Sequence, residues 1–128
     1  MTVSEYFTSV ERSLRRCAAN AAMGEPFLCL ASDEYNGLLR CRGIISESAY
    51  LDIYELARTE LGYPVRVHYF YAFVRDGTLA FRYDNAPHHR ELATHPHHLH
   101  IGPLQRVSPA DQPTLGQVPR QVESLLKT

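Results

Sequence analysis

The chain has 128 residues, 45% hydrophobic and 21% charged, with a formal net charge of −1. This is the length of one domain and the composition of an ordinary globular chain. It excludes the strongly basic balance of a general nucleic-acid binder, and no apolar run approaches the roughly 18 residues of a membrane span. The first residues, MTVSEYFTSVERSLRR, lack a basic segment followed by an apolar stretch, so the chain reads as cytoplasmic with no membrane partner. Cys17, Cys29 and Cys41 are odd in number and widely spaced. They argue against a disulfide framework and a compact cysteine zinc site, and fit small core residues in a reducing compartment.

Residues 3–22 predict an amphipathic helix. Val3, Tyr6, Phe7, Val10, Leu14, Cys17, Ala18 and Ala21 recur at helical spacing. Thr2 with Glu5 fits a capping box, and Gly24 before Pro26 is a stop signal. Residues 27–45 predict a β-hairpin, with Asn36-Gly37 as a type I′ turn. Residues 48–62 are ambiguous: Tyr50, Ile53, Tyr54, Ala57 and Leu61 have helical spacing, but a strand suits the surroundings better.

Residues 64–84 are the clearest segment, two β-rich runs around a second type I′ signal, Asp76-Gly77. A two-residue turn would place Phe70 opposite Tyr83, Tyr71 opposite Arg82, Tyr69 opposite Asp84 and His68 opposite Asn85. A bulge would shift that register. Residues 85–113 read as one long loop carrying five prolines, a length seldom found without a binding role or disorder. Residues 114–127 predict a short terminal helix. Leu115, Val118, Val122, Leu125 and Leu126 would cover the sheet, with Pro119 near its first turn.

The long loop holds six of the seven histidines within HHRELATHPHHLH, residues 88–100. Three readings compete. Imidazoles bind zinc or nickel, but the spacing matches no known ligand pattern. Imidazoles also move protons near neutral pH. RNA cleavage needs a base for the 2′-hydroxyl, an acid for the leaving oxygen and a cation for the phosphorane. Here His88, His89, His97, His98 and His100 are acid–base candidates, with Arg82 for phosphate and Asp84 or Asn85 for orientation. Tyr69, Tyr71 and Tyr83 could stack bases, and His68 could join from across the hairpin. The third reading is a solvated structural loop.

Arg82-Tyr83-Asp84-Asn85-Ala86-Pro87-His88-His89, followed by Pro96-His97-His98-Leu99-His100-Ile101-Gly102, resembles the TumE-like toxins of type II toxin–antitoxin pairs, also grouped as domain of unknown function 6516. The specific likeness covers about residues 79–102. Arg90, His95 and Leu99 depart from the family pattern, where a proline, an aromatic and a basic residue are usual. The resemblance tips residues 50–59 toward strand. It implies a partner antitoxin, typically a helix-turn-helix DNA-binding protein.

The resulting expectation is an α+β fold. A five-stranded antiparallel, mainly meander sheet (27–34, 38–45, 50–59, 64–75, 78–84) packs on an N-terminal helix, followed by the histidine-rich loop and a short C-terminal helix. The expected function is a toxin acting as a metal-independent endoribonuclease, with RNA as substrate and no cofactor. A zinc or nickel hydrolase and a non-enzymatic protein-interaction module remain open on the same loop. An exposed edge at 27–34 would offer a homodimer contact or strand addition by the antitoxin.

Overall fold

The computed structural model describes residues 1–20, 27–87, 89–114 and 117–127. Helix α1 spans Val3–Asn20. Five strands follow: β1 (Phe27–Ser32), β2 (Asn36–Ser46), β3 (Ala49–Glu60), β4 (Tyr63–Arg75) and β5 (Thr78–Asp84). Two short strands, β6 (His98–Ile101) and β7 (Arg106–Pro109), precede helix α2 (Gln117–Leu126). The sheet runs β1-β2-β3-β4-β5-β6-β7, every neighbouring pair antiparallel, with β1 and β7 at its edges.

The α+β architecture and the two terminal helices match expectation, but among the described residues the sheet has seven strands rather than five. The added pair lies inside the segment expected to be loop. Each is only four residues long, too short for alternation to signal, and β6 is specified by pairing with β5. Residues 49–60 are strand, as the surroundings suggested. Strand order explains it: β3 pairs along its length with β2 and β4, and that pairing overrides an equivocal local period.

The capping box forms as expected. Glu5 N–H donates to Thr2 Oγ1 at 3.0 Å and Thr2 N–H to Glu5 Oε2 at 3.4 Å. Gly24 and Pro26 lie outside the described residues. Pro119 sits in the first turn of α2. Cys41, the cysteine whose side chain is described, is buried and free, and burial pushes its thiol up to about 11.

Asn36-Gly37 is not the hairpin turn. Ser32 pairs with Gly37, so both residues belong to β2 and the chain reverses over 33–35. Asp33 Oδ1 accepts the backbone N–H groups of Tyr35 and Asn36, each at 2.8 Å, and that side chain shapes the turn. Gly37 has a different purpose. A Cβ there would lie 2.3 Å from Phe7 Cε2 and 2.8 Å from Val3 Cγ1, so the missing side chain lets α1 seat on β2. Asp76-Gly77 is the expected turn, both residues at positive φ (54° and 71°).

The helices share one face of the sheet. Val3, Phe7, Val10 and Leu14 of α1 and Val118 and Val122 of α2 pack on Leu39, Leu51, Ile53, Tyr71, Phe73, Phe81 and Tyr83. Alternation along the strands produces this layer, with every second residue of β3 buried from Ala49 to Ala57. The opposite face carries no helix among the described residues.

One β-bulge decides what stands on that open face. Near the turn Val74 pairs with Leu79, but next Phe73 pairs with Phe81, leaving Ala80 as the extra residue. The expected pairings Phe70–Tyr83 and Tyr71–Arg82 are therefore displaced by one position, and the ladder ends at Phe70–Asp84, short of the expected Tyr69–Asp84 and His68–Asn85 pairs. Tyr71 faces Tyr83 under the helices, whereas Phe70 faces Asp84 and Ala72 faces Arg82 on the open side.

Candidate functional site

The open face ends in a cluster of imidazoles around one carboxylate. Strand β5 presents Arg82 and Asp84, two residues apart and hence on one side. β6 pairs with it in register, placing His98 beside Asp84 and His100 beside Arg82. His89, in the connecting segment, turns back toward both histidines. Its ring meets His98 edge-on at 5.3 Å and His100 at 6.0 Å, and the His98 and His100 rings are 5.0 Å apart. His89 holds a positive φ of 56°, an uncommon conformation for a residue with a side chain, and such strain concentrates at functional sites.

Asp84 is 5% exposed. Its Oδ1 accepts Ala86 N–H at 3.0 Å and its Oδ2 accepts Arg82 Nε–H at 3.1 Å. His98 Nε2 approaches Oδ1 to 2.8 Å, and His100 Nε2 lies 3.4 Å from Oδ2. His98 is itself 1% exposed, and its Nδ1 is 2.9 Å from the carbonyl oxygen of Pro96. A carbonyl only accepts, so Nδ1 carries the proton of that bond. In a neutral ring Nε2 is then bare and confronts a carboxylate oxygen. The approach is close but off the hydrogen-bonding direction, leaving Nε2 without a hydrogen-bond partner; the buried Nδ1 of His100 has none either. Burial holds His100 below the usual imidazole range, against the Asp84 charge that raises it.

One nitrogen from each of His89, His98 and His100 lies within 4.8 Å of the others, close enough to hold a metal ion. The segment carrying these groups is tied down. Thr94 Oγ1 donates to His97 O at 2.6 Å and accepts Ala110 N–H at 3.0 Å, linking it to the chain beyond β7.

The remaining sequence candidates go elsewhere. Asn85 is a brace: its Oδ1 accepts Tyr69 N–H at 3.0 Å and its Nδ2 donates to Val67 O at 2.9 Å. His68 is exposed on β4 and stands outside the imidazole group. His88 lies outside the described residues. His97 points to the helix side, its Nδ1 2.9 Å from Tyr69 Oη and its ring stacked on Tyr69. Tyr69, Tyr71 and Tyr83, the rings expected to stack bases, are buried under the helices (3%, 3% and 6% exposed).

A second polar group lies in that buried layer. Glu55, fully buried, accepts hydroxyl protons from Tyr6 and Tyr71, and Arg66 Nη1 lies 3.8 Å away. Burial pushes the Glu55 carboxyl up, opposed by those hydroxyls and by Arg66. The same burial pushes Tyr69 up to about 12. Sequence reasoning missed this group, although a signal was present. Leu51, Ile53, Glu55 and Ala57 share one parity, and a carboxylate among apolar alternates marks a buried charge.

The family described as Toxin TumE matches residues 29–127. This chain belongs to the TumE toxin family. The match spans the sheet from within β1 to β7, the imidazole cluster and α2. Neither a curated protein nor a solved structure gives a significant match. Membership carries a toxin role and implies a cognate antitoxin. Among the described residues no helix is long and apolar enough to cross a membrane.

Proposed function

We propose that this TumE-family toxin is an endoribonuclease whose chemistry is centred on Asp84, Arg82, His89, His98 and His100. The observation that carries it is the convergence of two imidazoles and a guanidinium on one buried carboxylate at the open side of the sheet, with the His89 ring against both imidazoles. In metal-independent cleavage a base takes the 2′-hydroxyl proton, and the 2′-oxygen attacks phosphorus. The bond to the 5′-oxygen breaks, and that oxygen takes a proton from an acid, leaving a 2′,3′-cyclic phosphate and a 5′-hydroxyl. His100, 16% exposed at its side chain and held below the usual imidazole range by burial, suits the base. His89, 34% exposed at its side chain with its ring against His98 and His100, suits the acid, and the buried His98 supports both. Arg82, 40% exposed at its side chain, is placed to meet phosphate oxygens and the developing phosphorane charge. Asp84 orients the His98 and His100 rings. The partner antitoxin is proposed to be a helix-turn-helix protein.

The test is growth inhibition on induction, with RNA integrity read in the same cells and folding checked by circular dichroism. Asp84→Asn and His100→Gln are expected to abolish both effects in a folded protein. Full toxicity in both variants would overturn the assignment.

A second reading places a zinc or nickel ion among His89, His98 and His100. The unpartnered, buried Nε2 of His98 and Nδ1 of His100 favour it, since a metal would occupy a lone pair that no hydrogen bond uses. Metal content of untagged protein, and activity after chelation, separates the two. Stoichiometric metal required for activity selects the second reading; full activity in chelator selects the first.

A further inference from the structure

The open face offers one more feature, a row of side chains crossing the sheet in register. Arg40 on β2 stands opposite Tyr54 on β3, Tyr54 opposite Phe70 on β4, Phe70 opposite Asp84 on β5, and Asp84 opposite His98 on β6. The Tyr54 and Phe70 rings lie 5.4 Å apart and nearly parallel, at 11°. Arg82 stands over Phe70 at 4.6 Å, and Arg40 lies 5.8 Å from each ring centre. Both rings are half-buried and Arg40 is exposed. Arg40 forms no ion pair among the described residues, whereas Arg42 is held by Asp52 in a two-pronged pair at 2.7 and 2.8 Å.

We propose that this row is the seat of single-stranded RNA, which crosses the strands from β2 toward β6 and presents a phosphate to Arg82 and the histidines. The inference rests on the ribonuclease reading above and names where its substrate lies. Two arguments fix the occupant. The row sets two flat rings side by side, with Arg40 at one end and Arg82 over Phe70, and rings flanked by arginines stack bases and follow a phosphate backbone. It is also continuous with the imidazole cluster, so a strand lying on it reaches the chemistry without a turn. Four strand spacings of ~4.8 Å give about 19 Å from Arg40 to His98, room for a few nucleotides. A duplex keeps its bases stacked inside and offers no ring face to Tyr54 or Phe70.

The test is binding of a fluorescein-labelled 12-nucleotide single-stranded RNA to the full chain carrying Asp84→Asn, which removes cleavage from the readout. Tyr54→Ala is expected to weaken binding roughly 5- to 150-fold, the range for losing one stacked base. Arg40→Ala is expected to lower the steepness of the salt dependence by about 0.7 in log–log slope. A duplex of the same sequence is expected to bind more weakly. Should Tyr54→Ala disturb folding, Arg40→Ala and hydrogen-exchange protection of β2–β4 by RNA still decide the matter. Unchanged affinity and salt slope in Arg40→Ala, with no protection of β2–β4, would overturn the proposal. So would loss of antitoxin binding in Arg40→Glu with RNA binding intact, which makes the face a protein interface. RNA held on this face but left intact by the wild-type chain would keep the platform and remove the ribonuclease reading. Cleavage indifferent to Arg40 and Tyr54 would do the reverse.

Discussion

Gly37→Ala is a sharp test of how α1 is seated. In an ordinary strand this change stabilises by about 0.4–1 kcal/mol, because alanine has less conformational freedom to lose on folding. Here the added Cβ would meet Phe7 Cε2 at 2.3 Å, Phe7 Cδ2 at 2.8 Å and Val3 Cγ1 at 2.8 Å. Carbon atoms pack best at about 3.5–4.0 Å, so the first contact is short by more than about 1 Å. Phe7 and Val3 are both fully buried, and neither can swing into solvent to make room. Forced overpacking of this kind costs about 1–3 kcal/mol. The steric term exceeds the entropic gain, leaving a net loss of about 1–2 kcal/mol. For a chain of this size that lowers Tm by roughly 3–10 °C. Thermal and urea unfolding of the two proteins measures it. Phe7→Leu in the Gly37→Ala background should relieve part of the clash, giving a favourable coupling of about 0.5 kcal/mol or more in a double-mutant cycle. An unchanged or raised Tm in Gly37→Ala refutes the close seating of the helix.

Other perturbations probe the helix side and its separation from the site. Burial raises the Glu55 carboxyl above its unfolded value, so its contribution to stability is fully present at low pH and is lost as pH rises through the folded pKa. The stability difference between wild type and Glu55→Gln, from urea midpoints across pH 4–8, should therefore shift against wild type as pH rises; a pH-independent difference contradicts the raised pKa. Tyr69→Phe removes the hydroxyl beside His97 Nδ1 and should cost about 0.5–1.5 kcal/mol of stability. It should leave growth inhibition intact, because His97 faces away from Asp84. Loss of toxicity in folded Tyr69→Phe would contradict the proposed placement of the site at Asp84.

Several elements were legible because their causes are local. Thr2 and Glu5 cap α1 with their own side chains, and Asp76-Gly77 turns the β4–β5 hairpin through two positive φ angles. The apolar periods of α1 and α2 follow from a helix burying one stripe. The histidine segment and Asp84 were singled out from composition and from the RYDNAPHH and PHHLHIG runs alone. Asn36-Gly37 misled because a glycine spared for close packing reads like one spared for a turn, and only the position of Phe7 distinguishes them.

What the sequence by itself determined is the α+β class, the helices, the hairpin turn at Asp76-Gly77 and the concentration of histidines after β5. What only the tertiary structure decided is which of those side chains meet. Strand side chains alternate, so the one extra residue at Ala80 sends Arg82 and Asp84 to the open face and Tyr83 under the helices. Pairing of β6 with β5 then brings His98 and His100 to Asp84 and leaves His97, their immediate neighbour, on the other side. A bulge and a four-residue strand have almost no local signature, because each is stabilised by partners distant in the chain.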